Sequence, residues 1–115
     1  MRLVVAIIQP TKLQVVQEAL RKIEVHRMTV CDATGYARQR GQTLTYRGSE
    51  YHTDLLRKVA LEIVVNEDFL ERTLETIEQA ARTGSDGAIG DGKVFVLPVD
   101  NVIRIDDQLD GPGAV

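Results

Sequence analysis

At 115 residues, 43% of them hydrophobic, the chain suits one domain, and such a domain buries roughly two-thirds of the surface its unfolded form exposes. A formal net charge of -3 gives no basic footprint for nucleic acid or for an anionic membrane surface. A single cysteine, Cys31, excludes an internal disulfide and points to a reduced cytoplasmic setting, and the opening apolar run is too short to cross a membrane.

Residues 2–9 are apolar and rich in β-branched side chains, closed by Pro10, and predict a first strand. Thr11 stands three residues before Gln14, a capping-box spacing, so a helix should begin there. Leu13, Val16, Leu20 and Ile23 recur at helical spacing and give that helix one buried face. Residues 25–34 resume a strand pattern that stops at Gly35. A polar stretch follows, "QTLTYRGSEYHTD" at 42–54, and all three tyrosines fall between positions 36 and 51. "VALEIVV" at 59–65 predicts another buried strand. Asn66 is a helix cap, and Leu70, Leu74, Ile77 and Ala81 trace the apolar face of a second helix. Glycine-rich "TGSDGAIGDGK" stops it, "VFVLPV" predicts a fourth strand and "NVIRI" a short fifth.

The doubled order of strand, helix, strand predicts an α+β sandwich of the split, ferredoxin-like type (βαββαβ), with two helices on one face of a mostly antiparallel sheet. Alternation in the first strand sends Leu3, Val5 and Ile7 one way and Val4, Ala6 and Ile8 the other, and residues 59–65 are apolar on both faces except at Glu62. Two helices cover only one face. The second is expected to be buried by self-association in a closed homo-oligomer.

Few segments carry candidate chemistry. "GAIGDGK" at 87–93 has the glycine and lysine spacing of a phosphate-binding loop, whose glycines turn backbone N–H groups toward an anion. Val94 stands where the magnesium-binding hydroxyl would be, and the loop runs from helix to strand rather than the reverse. By pattern alone it is first a plain connection, with a non-standard phosphate cradle as the alternative. "GYARQR" at 35–40 brings Arg38, Gln39 and Arg40 to the foot of the polar stretch, as solvated side chains or as an anion site. Lys58 begins a strand whose apolar face is broken by Glu62, and a charge on a buried face needs a partner or a ligand. His26, Cys31 and His52 match no zinc spacing, and no nucleophile stands beside a base, so the chain is not expected to be an enzyme.

"YRGSEY" at 46–51 resembles the modification motif of PII signal-transduction proteins, and "GDGKVFVLPV" at 90–99 resembles their second signature. The likeness extends through "AIIQPTKL", "MTV", "LEIVV" and "QAARTG" across nearly the whole chain as a single domain, 1–115. The resemblance implies a cytoplasmic homotrimer that senses adenine nucleotides and the carbon/nitrogen balance. It implies ATP or ADP, with AMP as a further candidate, in clefts between subunits, and 2-oxoglutarate beside Mg-ATP. Residues 36–55 match the family's T-loop, which docks onto targets such as an ammonium channel, a nucleotidyltransferase or a metabolic enzyme. Residues 83–93 match its phosphate-binding loop and 100–115 its C-terminal segment.

Carried over by position, the phosphates are expected at Gly90, Asp91, Gly92 and Lys93, with Arg38 and Arg104 adding charge. Ile7, Thr29, Gly35, Glu62 and Val64 match positions around the nucleoside, where Gln39 also belongs. Gln39 would join 2-oxoglutarate to magnesium, with Arg40 and Lys58 beside the oxoacid. Tyr51 matches a uridylylated tyrosine and Ser49 a phosphorylated serine. Three departures stand out. "TGSDGAIGDGK" has three residues more than the usual "TGKIGDGK". "IRIDDQL" places Asp106 where the family has a second arginine, which should weaken ATP relative to ADP or AMP. Ala37 replaces a usual glycine at the T-loop's start. Two alternatives stay open: an ADP- or AMP-responsive energy or bicarbonate-linked sensor with no response to 2-oxoglutarate, and a structural trimer of the same architecture.

Overall fold

The structure, a computed structural model, describes the backbone of residues 1–38, 44–46, 49–51 and 53–115 and the side chains of residues 1–34 and 56–115. The chain runs β1 (Arg2–Ile8), α1 (Leu13–Lys22), β2 (Thr29–Arg38), β3 (Leu44–Tyr46), β4 (Ser49–Tyr51), β5 (Thr53–Val65), α2 (Glu67–Ala81) and β6 (Gly92–Pro98). Four strands form one antiparallel sheet in the order β2-β5-β1-β6, the split βαββαβ arrangement expected from the pattern. β3 and β4 pair as a separate short ladder. No helix among the described residues is long and apolar enough to cross a membrane.

Pro10 ends β1 and opens a 3-10 turn over Pro10–Lys12, in which the Lys12 N–H donates to the Gln9 carbonyl at 2.9 Å. Thr11 lies inside that turn, so the expected capping box does not form and α1 begins at Leu13 without a side-chain cap. The far end of α1 closes as a Schellman motif. The Val25 N–H donates to the Leu20 carbonyl and the Glu24 N–H to the Arg21 carbonyl, both at 3.0 Å, while Glu24 sits at φ 66°. Val25 is thereby pulled into the core with Leu20, which is why β2 starts at Thr29 rather than at 25.

A β-carbon is strained in that left-handed conformation. Glu24→Gly is therefore expected to raise stability by about 0.5–1 kcal/mol, read as a higher urea midpoint at unchanged slope. A lower midpoint would show that the motif does not strain the residue.

The core lies between the sheet and the two helices. Val4, Ala6 and Ile8 of β1 and Val59, Leu61, Ile63 and Val65 of β5 meet Val16, Leu20, Ile77 and Ala81 from α1 and α2. Full burial of each large aliphatic contributes about 1.5–3 kcal/mol. Leu13, Ile23, Leu70 and Leu74 pack at its margin, as the helical spacing predicted. Thr73 is also fully buried, its Oγ1 donating to the Phe69 carbonyl one turn back at 2.7 Å. An apolar count passes over such a residue.

The opposite sheet face is open in the single chain. Leu3, Val5 and Ile7 are half-buried there, beside Ala60, Glu62 and Val64 on β5 and Phe95 and Leu97 on β6. Phe95 is 49% and Leu97 43% exposed, whereas Val4, Ala6 and Ile8 on the packed face of β1 are buried.

The predicted fifth strand is absent as a strand: only an isolated bridge joins Ile103 to Asp110. The segment folds on itself instead. The Arg104 N–H donates to the Leu109 carbonyl at 2.8 Å, and Asp106 and Asp107 accept from the backbone N–H groups of Asp107 and Leu109. Beyond it, Pro112 takes a hydrogen bond from Asn66 Nδ2 at 3.2 Å, and Ala114 is buried. Asn66 does precede α2, but its side chain serves this tail rather than capping the helix.

Candidate functional site

After α2 the chain turns back toward β6 through a glycine-rich loop organised by one carboxylate. Asp91 accepts the Thr83 hydroxyl at 2.6 Å, the Thr83 N–H at 2.9 Å and the Ala88 N–H at 2.8 Å. The Thr83 hydroxyl first, then these two N–H groups, hold the Asp91 carboxyl down to about 2, from an ordinary 3.8. Because the folded value is depressed, the clamp is fully present above the ordinary aspartate range and is lost as pH falls through about 2. A carbon-13 titration should place the Asp91 midpoint near that value. A midpoint in the ordinary range would mean that the loop is not organised around this carboxylate.

The next residues are fixed against the sheet. Gly92 pairs with Ile8 and Lys93 with Ile7. A β-carbon on Gly92, at φ 124°, would fall on the Ile7 carbonyl, 2.9 Å from its carbon. The Gly90 carbonyl accepts from Lys58 Nζ at 2.6 Å and from Gln9 Nε2 at 3.2 Å. Lys93 Nζ stands 6.0 Å from the Phe95 ring centre. Strand order thus gathers Ile7, Lys58, Gly90, Asp91, Gly92 and Lys93 at one end of the sheet, since β1 lies between β5 and β6.

Three further groups stand apart from this one within the chain. Thr29 pairs with Glu62, and Val64 with Leu3, on the open face; Glu62 is about 13 Å along β5 from Lys58. Glu62, expected on a buried face, is exposed in the single chain. Arg104 pairs with Asp106 Oδ2 at 2.9 Å and with Asp107 Oδ2 at 3.5 Å. The β2–β5 ladder continues through Gly35 to its last pair, Arg38 with Thr53, about 17 Å along β5 from Lys58. Gln39 and Arg40 lie outside the described residues, and so do the side chains of Arg38, Ser49 and Tyr51.

Gln9 and Thr83 were not singled out from the sequence, yet both hold the glycine turn. Gln9 is the last residue before a strand-ending proline, and Thr83 the second after a helix: positions where a polar side chain has backbone to serve.

The arrangement suits anion binding: a lysine ammonium, a second lysine and a turn of glycines whose backbone approaches a strand without intervening β-carbons. Comparison with known proteins finds relatives along the whole length of the chain. The family model described as "Nitrogen regulatory protein P-II" matches residues 1–108. Nitrogen regulatory protein GlnK1 of Methanosarcina mazei is 49% identical over 115 residues, all of this chain and 97% of the relative. Nitrogen regulatory protein P-II of Azospirillum brasilense is 49% identical over 105 residues, 91% of each chain. Nitrogen regulatory protein P-II 2 of Methanothermobacter thermautotrophicus is 46% identical over 115 residues, all of this chain and 97% of the relative. The chain belongs to the P-II family of nitrogen regulatory proteins.

Proposed function

We propose that the chain works as a cytoplasmic homotrimer that binds ATP or ADP between subunits, takes up 2-oxoglutarate beside Mg-ATP, and regulates nitrogen and carbon metabolism through residues 36–55. It is a regulator without turnover of its own. The observation that carries this reading is the glycine turn at Gly90 to Lys93, clamped by Asp91 and tied by Lys58 to the strand that leads to the 36–55 segment. A nucleotide phosphate at that turn acts where the segment is rooted.

Two features support the trimer. The open sheet face leaves Phe95, Leu97 and their neighbours in water, and the groups around Glu62 and Arg104 lie apart from the turn in one chain. A neighbouring subunit would cover the face and bring Thr29, Glu62, Val64 and Arg104 to the Ile7 and Gly90 end. Gln39 and Lys58, with Arg40 beside them, would hold the oxoacid, Gln39 also reaching magnesium. Tyr51 is the candidate for uridylylation and Ser49 for phosphorylation. The segment's partner would be an ammonium channel, a nucleotidyltransferase or a metabolic enzyme.

Titration calorimetry with ATP, ADP and AMP, each with and without magnesium and 2-oxoglutarate, tests the reading. Micromolar nucleotide binding is expected, and 2-oxoglutarate should bind at micromolar concentration only with Mg-ATP, its binding to the nucleotide-free protein being far weaker. Absence of any nucleotide heat overturns it and leaves the structural trimer. The pairing of Arg104 with two carboxylates favours a second reading, in which ADP or AMP is the principal ligand and 2-oxoglutarate is not sensed.

A further inference from the structure

The glycine turn and the root of β5 are joined through one ammonium. Lys58 Nζ donates to the Gly90 carbonyl at 2.6 Å, and among the described residues no carboxylate stands within ion-pair distance of it. Gln9 adds a neutral donor to the same oxygen at 3.2 Å. A peptide carbonyl is a weaker acceptor for an ammonium than an oxyanion, because only the latter brings a full charge.

The turn is anchored on both flanks. Asp91 holds Thr83 and Ala88 on one side, and Gly92 is locked against Ile7 on the other. Between them, Gly90 sits at φ 96°, with nothing nearer than Lys58 Nζ, at 3.9 Å, to where a β-carbon would be. Its peptide is free to rotate at low steric cost. The following N–H, of Asp91, is held by the Ala88 carbonyl at a long 3.2 Å.

We infer that the Gly90 carbonyl is an internal stand-in for an anion, occupying Lys58 until an oxyanion, carboxylate or phosphate, takes its place. The carbonyl oxygen sits against the ammonium, where its negative end repels an incoming oxyanion. Lysine has three donors, so the exchange is driven by that repulsion rather than by a shortage of N–H groups. When the carbonyl leaves, the Gly90 peptide rotates and the Asp91 N–H is free to face the anion. Capture of an anion at Lys58 and preparation of the turn for phosphate become a single event. β5 runs unbroken from Lys58 to Thr53, opposite Arg38, so the event is delivered to the root of the 36–55 segment. Its biological meaning rests on the nucleotide reading; its first test does not.

The Gly90 carbonyl carbon-13 resonance and amide exchange at Ala88 and Asp91 would be compared in ligand-free wild type, Lys58→Met and Gln9→Leu. Lys58→Met should move the resonance and speed exchange about tenfold, the effect of losing a charge-assisted bond worth about 1.4 kcal/mol. Gln9→Leu should do the same to a smaller degree. Inorganic pyrophosphate and 2-oxoglutarate, titrated separately, distinguish phosphate from carboxylate. Either should move the wild-type resonance toward the Lys58→Met position and leave Lys58→Met itself unmoved. Identical resonances and exchange in wild type and Lys58→Met overturn the inference. So does a wild-type resonance that neither anion moves. If Gly90 responds but ATP, ADP and AMP give no heat, the proposed function falls and the exchange at Lys58 stands.

Discussion

Gly92→Ala is expected to cost about 3 to 5 kcal/mol of unfolding free energy and to abolish any binding at the turn. Two independent effects add. The residue's φ of 124° lies where an L side chain is strained, and the new methyl would fall on the Ile7 carbonyl of a central strand. Neither neighbour has room to yield, because Ile7 pairs with Lys93 on one side and with Ala60 on the other. Urea unfolding at fixed protein concentration measures the loss. A change below about 1 kcal/mol would mean that β1 and the start of β6 do not approach as closely as described.

Asp106→Arg is expected to raise the affinity for ATP relative to ADP about tenfold, on the reading that Arg104 meets nucleotide phosphate. The sequence made Asp106 an anion near a polyphosphate; the geometry adds that it also occupies the cation meant for that polyphosphate. Its oxygen is 2.9 Å from Arg104 Nη2, and the Arg104 hydrogen bond holds the carboxyl below its ordinary value, so it is ionised at neutral pH. ATP brings one more phosphate than ADP and loses more when Arg104 is neutralised. Asp106→Asn, which removes the charge without adding one, should give a smaller change in the same direction. The pair is exposed, so both effects should shrink with added salt. Calorimetry with both nucleotides at two ionic strengths decides: an unchanged ratio in both variants rules the competition out.

Much of the fold was legible from two periodicities, one helical and one of strand alternation. Leu13, Val16, Leu20 and Ile23 lie at helical spacing on one wall of the core, and the alternation in β1 sorted Val4, Ala6 and Ile8 from Leu3, Val5 and Ile7. Boundaries were less legible where local bonding overrode pattern. Nothing in "KIEVHRM" says that Glu24 adopts a left-handed conformation and draws Val25 away from β2. "NVIRI" has strand composition, but a strand needs a neighbour, and the Asp106–Asp107 turn binds the segment to itself. At the site, glycine and lysine spacing marked out the turn as a candidate, whereas the acceptor of Lys58 could not be read. A side chain of that length reaches several groups, and only strand order decides which.

The extra length of the loop between α2 and β6 has a consequence for how such chains vary. Asp91 is bonded to Thr83, so the loop is closed at its neck and the residues between form a bulge whose two ends are already joined. Lengthening a closed bulge costs little, about 0.6 kcal/mol for each doubling. The added residues are carried outward, where Ile89 stands 95% exposed, while the positions of Gly90 and Gly92 are set by Lys58, Gln9 and Ile7. Insertions between positions 84 and 87 therefore alter what the rim can touch without altering the cradle beneath it.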